Sequence, residues 1–194
     1  MFPKISRIKN RRKQHEVDLD VLWSEARSGS EEALSDLFCV SYTWLFNYGY
    51  RIVPREAFVK DAIQELFLTL WEKRETINEA RSVRSYLCSS LRRLIFRRIR
   101  KQKNRSRRNI RYKREVDGEL RTTEELIIHV ETDREKKYQL ANALGVLSDR
   151  QKEAIFLKFY EGFTNSEIAR IMKINKQSVY NHVSKAINKM QHAV

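Results

Sequence analysis

The stretch from Ser148 to Met190 constrains the fold most, because it has the pattern of two short helices joined by a tight turn. Thr164 can cap a helix, and Glu167 follows it at the spacing of a capping box. A second helix is predicted to begin near Lys176, after which apolar residues recur every three or four positions. This combination is typical of a helix-turn-helix.

The second helix of this pair carries polar side chains on the face opposite its apolar stripe. Such side chains can donate hydrogen bonds to base edges and phosphates. The candidate DNA contacts are Lys176, Gln177, Ser178, Tyr180, Asn181, His182, Ser184 and Lys185. An ordinary helical hairpin with a solvated face is the alternative. Lys173 stands where such turns usually carry Gly, so we expect left-handed backbone there at a cost of roughly 1 kcal/mol.

The remainder of the 194-residue chain also has helical periodicity, with five Gly, two Pro and little strand-like alternation. The predicted class is therefore all-α. Four further helices are predicted at about residues 19–27, 31–53, 55–73 and 84–103. The second of these helices carries several aromatic residues. Their helical spacing favours a place in the core over a role as a base-stacking platform.

Basic charge is concentrated in one segment of the chain. Of a net charge of +14, residues 84–114 contribute fourteen Lys and Arg and no Asp or Glu. The fourth helix pairs a buried apolar stripe with basic residues on much of its remaining surface, so we expect it to lie along a phosphate backbone. Binding to a membrane surface is the rival interpretation.

Several classes of protein lack support in the sequence. No apolar run approaches the roughly 20 residues of a membrane span. The sequence contains no Gly-rich phosphate loop, no HExxH motif and no Ser/His/Asp arrangement. Its four His are scattered along the chain. We therefore expect that the protein is not an enzyme and has no cofactor or metal site. Cys39 and Cys88 lie in apolar helical patterns and are interpreted as reduced core thiols of a cytoplasmic protein.

The sequence divides into four parts. Residues 1–17 are predicted to be a disordered basic arm, and residues 18–103 a helical domain. Residues 104–133, where periodicity fades, are predicted to be a flexible linker. Residues 134–194 form the helix-turn-helix domain.

Residues Asp61 to Trp71 match the pattern D-x-x-Q-E-x-F-x-x-[LAV]-[WY], which resembles the second conserved region of bacterial sigma factors. Residues 29–38 resemble the start of the extracytoplasmic-function (ECF, group IV) subfamily. The helix-turn-helix resembles the fourth region of that subfamily. The resemblance covers about residues 19–103 and 135–190, in the expected order.

The resemblance implies a sigma factor that binds core RNA polymerase and directs promoter recognition and strand opening. It implies that Asp61, Gln64 and Glu65 dock on the clamp helices of the β′ subunit. Contacts to the minus-ten element are implied for Arg81, Ser82, Tyr86, Arg92, Arg93, Arg97 and Arg100. The helix-turn-helix would read the minus-thirty-five element and touch the β flap, and an anti-sigma factor is a further possible partner.

A stand-alone helix-turn-helix regulator is the main alternative. Such a protein would not need the Asp61, Gln64 and Glu65 patch, and it would usually bind a palindrome as a dimer. A basic helical RNA-binding protein is a further alternative, against which the helix-turn-helix argues.

Overall fold

The computed structural model describes the backbone of residues 18–109 and 143–192, with side chains described for residues 18–104 and 143–192. The predicted basic arm, nearly all of the predicted linker and residues 134–142 lie outside these described residues. Within them the chain is helical and contains no strand, so the all-α prediction is confirmed. The described residues form an N-terminal unit (18–109) and a C-terminal unit (143–192).

Four helices build the N-terminal unit: α1 (Leu19–Arg27), α2 (Glu31–Ile52), α3 (Glu56–Glu72) and α4 (Val83–Asn109). Asp18 and Ser30 cap α1 and α2 by accepting hydrogen bonds from backbone N–H groups of the first turn. Helix α4 continues six residues past the predicted end at Lys103 and enters the segment predicted as linker. Residues 104–109 contain no Gly or Pro, so nothing in their propensity stops the helix where the apolar periodicity fades.

The core of the N-terminal unit lies where α2, α3 and α4 meet. Its most deeply buried side chains include Leu37, Leu45, Val59, Ile63, Leu87, Leu91 and Ile95. Gly49 of α2 permits the close approach of these helices, because a Cβ there would lie 2.7 Å from Val59 Cγ1 and 3.4 Å from Ile95 Cδ1. A larger residue at this position would push α2 away from α3.

The C-terminal unit contains α5 (Asp149–Ile155), a π-helical segment (Phe156–Tyr160), α6 (Asn165–Met172) and α7 (Lys176–Gln191). Capping boxes begin α5 and α6, formed by Ser148 with Gln151 and by Thr164 with Glu167. The box at Thr164 was expected from the sequence, and Ser148 and Gln151 have the same three-residue spacing.

The turn between α6 and α7 has the predicted geometry. Lys173 has φ 54° and ψ 51°, which places it in the left-handed region. Asn175 then caps α7, because its Oδ1 accepts a hydrogen bond of 2.7 Å from the Ser178 N–H.

The two units share one continuous apolar core. Helix α6 packs along α4, and the buried residues Phe163, Ile168 and Val179 belong to the same cluster as Leu87 and Leu91 of the N-terminal unit. The C-terminal unit therefore covers one side of α4 in this conformation.

The core positions predicted for Cys39, Phe159 and Tyr160 are wrong, because all three side chains are exposed. Cys88 is buried as expected, but Cys39 is exposed. Helix α2 turns Leu37, Ser41 and Leu45 toward the core, and Cys39 falls between these positions on the outer side. The aromatic residues of α2 lie mainly against the core, where Tyr48 is fully buried and Tyr42, Trp44, Phe46 and Tyr50 are half-buried.

Candidate nucleic-acid interface

Helix α7 presents an exposed polar stripe. Gln177, Asn181, Ser184 and Asn188 recur at spacings of four, three and four residues, and all four are exposed. The Gln177 amide Nε2 donates a hydrogen bond of 3.3 Å to Asn181 Oδ1, which fixes both side chains along the stripe. The opposite side of α7 buries Val179 and Ala186 in the core.

The structure places the remaining predicted contacts of α7 around this stripe. Tyr180, which is 62% exposed, lies on one flank, and the exposed Lys185 lies on the other. Lys176 is exposed in the first turn, whereas Ser178 and His182 are half-buried. Asn188, which the sequence also places on the polar face of this helix, continues the stripe four residues after Ser184.

Helix α4 has an exposed stripe formed by Arg93, Phe96 and Arg100, which recur at spacings of three and four residues. Arg93 and Arg100 point to solvent and have the character expected of phosphate contacts. Phe96 between them is 40% exposed, and the Arg92 guanidinium lies 4.5 Å from the centre of its ring. Phe96 was not predicted as a site residue, although it stands outside the apolar stripe of the helix.

The other residues predicted to contact the minus-ten element lie in different surroundings. Arg81 is exposed, and the Tyr86 ring packs 5.0 Å from Trp23. Three residues instead contact carboxylates of this chain: Ser82 with Glu167, Arg92 with Glu153, and Arg97 with Glu65. Arg92 and its partner are both largely buried.

Helix α3 holds the residues predicted to dock on polymerase. Asp61 and Gln64 are exposed, while Glu65 accepts hydrogen bonds from Arg97 and, at 2.7 Å, from Arg98 Nε. Burial acts to raise the pKa of Glu65, but these two guanidinium groups outweigh it and hold the pKa below its ordinary value. Glu65 is therefore ionised and bound to α4.

Leu68 lies on the same face of α3, four residues after Gln64 and seven after Asp61, and it is 64% exposed. The neighbouring Leu66, Phe67 and Leu70 are buried. Leu68 was not predicted as a site residue, although its spacing from Asp61 and Gln64 places it on their face. Single exposed apolar side chains are common on protein surfaces. Leu68 adds an apolar group to the face that carries Asp61 and Gln64.

Within residues 18–104 and 143–192, no group of three or more His, Cys, Asp or Glu side chains is placed to hold a metal ion. The helices of the described residues include none that combines the length and hydropathy needed to cross a bilayer.

Comparison with known families identifies both units. The model of sigma-70 region 2 matches residues 40–105, and the model of sigma-70, region 4 matches residues 137–190. Together, and in this order, the two matches span more than half of the chain. The chain belongs to the sigma-70 family. It is an RNA polymerase sigma factor of the ECF kind, with the region 2 match ending in α4 and the region 4 match containing α5 to α7.

Individual relatives are similar along most of their length. The ECF RNA polymerase sigma factor SigK of Mycobacterium sp. (strain JLS) is 22% identical over 180 residues, which cover 92% of this chain and 91% of the relative. SigK of Mycobacterium sp. (strain KMS) is 24% identical over 165 residues, which cover 84% and 83%.

Two solved structures share the fold of this sigma factor. CnrH, determined in complex with the cytosolic domain of CnrY, has a TM-score of 0.59 at 20% identity and matches 90% of this chain and 96% of its own. The sigma factor RpoE from Bartonella quintana, determined with the anti-sigma factor NepR, has a TM-score of 0.60 at 18% identity. That match covers 84% of this chain and 96% of RpoE.

Proposed function

We propose that this sigma factor is a group IV factor that acts in the cytoplasm, where it binds core RNA polymerase through α3. Helix α4 and the loop before it read the minus-ten element, and α7 reads the minus-thirty-five element. One observation supports these separate roles: each helix buries its apolar side and exposes polar side chains whose chemistry suits its proposed partner. The protein acts as an initiation factor and has no catalytic activity of its own.

The stripe on α7 suits direct reading of bases. Amide side chains such as Gln177 and Asn181 can form paired hydrogen bonds with adenine in the major groove. Lys185 on the flank suits a phosphate, which positions the helix without reading sequence. Together they make α7 the recognition helix of the upstream element.

The surface around α4 suits a separated DNA strand. Arg93 and Arg100 can neutralise phosphates along the backbone, while Arg81 and Ser82 lie in the loop that would hold an extruded base. Extruding a base from the duplex costs a few kcal/mol. Contacts between the extruded base and this loop offset that cost at the promoter.

The exposed Asp61, Gln64 and Leu68 make α3 the docking surface for the clamp helices of the β′ subunit. Acidic, amide and apolar groups on one face suit a helical partner with basic and apolar side chains. The C-terminal unit contacts the β flap. The known complex of RpoE with NepR supports an anti-sigma factor as a regulatory partner of this chain as well.

A run-off transcription assay on sheared genomic DNA tests the proposal, with bacterial core polymerase in the presence and absence of the protein. We expect discrete transcripts that depend on the protein. Absence of transcripts combined with sequence-specific binding to DNA alone would favour a stand-alone regulator instead.

Substitutions on α3 test the docking surface separately. Asp61→Arg should abolish co-elution with core polymerase while the circular dichroism spectrum stays helical. Glu56→Arg is the matched control, because Glu56 is exposed on another side of α3, where it pairs with Lys60. Equal loss in both variants would show that charge on α3, rather than this face, controls binding.

A further inference from the structure

Helix α7 contains three Lys residues and no Arg. Lys189 is turned toward the start of the C-terminal unit, because its Nζ donates hydrogen bonds of 3.4 Å to the Val146 carbonyl oxygen and 3.5 Å to Gln151 Oε1. Lys185 lies on the flank of the exposed polar stripe, and Lys176 in the first turn lies outside it. The stripe itself therefore consists of uncharged amide and hydroxyl side chains.

This composition limits the bases that the stripe can recognise. In the major groove guanine presents two acceptors, O6 and N7, and its commonest partner is the charged side chain of Arg or Lys. Adenine presents the N6 amino group, which is a donor, beside the N7 acceptor, and its usual partner is the amide of Asn or Gln. A stripe without a charged donor therefore favours adenine over guanine.

The hydrogen bond between Gln177 and Asn181 determines which of their polar atoms face DNA. Gln177 Nε2 donates to Asn181 Oδ1 at 3.3 Å, so the Asn181 amide nitrogen keeps both of its hydrogens for another acceptor. Gln177 Oε1, the other end of the same amide, is an acceptor. The two exposed side chains thus offer one acceptor and one donor, which complement the N6 and N7 groups of adenine. Guanine would instead bring its O6 against the Gln177 acceptor.

Tyr180 adds an apolar surface beside this amide pair. Its side chain is 62% exposed, and it lies on the flank of the stripe, one residue before Asn181. Thymine is the base that carries a methyl group in the major groove, and apolar side chains recognise it through contact with that methyl. Because thymine pairs with adenine, a ring at this place favours the same base pairs as the two amides.

We propose that Gln177 and Asn181 act together as one reader of adenine and that Tyr180 contacts the methyl group of a thymine, so that α7 selects consecutive A·T pairs. Gln177 is also a positioning residue, because its amide sets the orientation of the Asn181 amide. This inference rests on the proposed role of α7 as the recognition helix of the minus-thirty-five element.

Selection from random DNA tests the base preference on the full chain without polymerase. The probe is a library of duplexes that share their ends and differ in a randomised central segment. After rounds of binding and amplification, the enriched duplexes should contain consecutive A·T pairs, with adenine strongly preferred to guanine at one of them. Enrichment of a motif centred on G·C pairs, or of no motif at all, would overturn the proposal.

Base analogues in the selected duplex test the individual contacts. 7-Deazaadenine replaces the N7 acceptor by a C–H group, and at the preferred adenine it should weaken binding about tenfold. Deoxyuridine in place of thymidine removes only the methyl group and should weaken binding severalfold. The same analogues outside the selected segment are the matched controls and should have no effect. Equal affinity for the natural and the substituted motif would refute base reading by α7.

Substitutions assign each effect to its side chain. Asn181→Ala should bind the adenine and 7-deazaadenine duplexes equally, and Tyr180→Ala should bind the thymidine and deoxyuridine duplexes equally. Asn181→Arg should change the preferred base from adenine to guanine, because a guanidinium donates to both O6 and N7. Thr43→Ala alters an exposed side chain of the N-terminal unit and should keep every response of the unaltered protein. An analogue effect that persists in its variant would contradict that assignment.

Gln177→Ala tests the joint action of the amide pair. It should reduce the discrimination against guanine, because the Asn181 amide is then free to turn and to present either its donor or its acceptor. Unchanged discrimination would refute the positioning role. Because these measurements omit polymerase, their failure is distinct from a negative run-off assay, which tests the sigma activity itself.

Discussion

Lys173 ends α6 with left-handed backbone, at a φ of 54°. A Cβ in this region costs about 1–2 kcal/mol, and Gly avoids that cost. We expect Lys173→Gly to raise the free energy of unfolding by about 1 kcal/mol, since part of the gain is offset by the freedom of Gly in the unfolded chain. Urea denaturation measures this change. Lys173→Ala is the control: it removes the same side chain but keeps the Cβ, and an equal gain there would contradict the explanation.

Glu65 illustrates how a residue predicted for one surface can serve another. Its carboxylate is held by Arg98 and Arg97, which keep its pKa below the ordinary value of 4.5. A lowered pKa in the folded protein means that the ion pair contributes stability above the unfolded pKa and loses it as pH falls through the folded pKa. The pair therefore stabilises the junction of α3 and α4 at neutral pH.

We predict that Glu65→Gln lowers the melting temperature at pH 7 and that the difference from the unaltered protein shrinks below about pH 4. Calorimetry across this range measures the effect. Because Arg98 is one of the partners, Arg98→Gln should reduce the effect of a further Glu65→Gln substitution. A melting difference that stays constant with pH would show that Glu65 acts through packing instead.

At the scale of the helix, Gly49 determines how closely α2 approaches its neighbours. Ala favours helices over Gly by about 1 kcal/mol, but overpacking a tight core usually costs about 1–3 kcal/mol. With only 2.7 Å available to Val59 Cγ1, we expect Gly49→Ala to lower the free energy of unfolding by about 1 kcal/mol or more.

Gly145 provides the matched control, because a Cβ there meets no atom within 4 Å. Gly145→Ala should leave stability unchanged or raise it by up to about 1 kcal/mol. Both variants are compared by chemical denaturation. If Gly49→Ala is as stable as Gly145→Ala, α2 can shift without cost and the close approach has no structural role.

Helices were predictable from sequence where their determinants are local. Caps at Ser30 and Thr164 and the apolar periodicity fixed the bounds of most helices to within one or two residues. The contacts between units were not predictable, because Glu153 lies 61 residues from Arg92 and 105 from Tyr48. The sequence pattern of an amphipathic helix is the same whether a charged residue on its polar side faces solvent or another helix. For the same reason, the ion pairs of Glu65 with α4 could not be predicted from its place on α3.

Across the whole molecule, the basic surface of α4 consists of exposed Arg side chains and of Arg side chains that are bound to carboxylates of this chain. Arg93 and Arg100 remain exposed, while Arg98 is half-buried and bound to Glu65. The free protein should therefore bind duplex DNA non-specifically through the open groups. Each phosphate contact contributes close to one unit to the slope of log K against log salt concentration.

We predict that Arg93→Gln and Arg100→Gln each reduce the magnitude of this slope by about one, while Arg98→Gln reduces it by much less. All three substitutions remove one Arg from the same helix, so they change the net charge equally. The difference between the slopes of these variants separates the effect of direct phosphate contact from the effect of the long-range field of a chain with a net charge of +14. Fluorescence anisotropy of a labelled duplex over a series of salt concentrations gives the slopes. Equal reductions in all three variants would show that the overall field, and not the exposed stripe, governs DNA binding by the free protein.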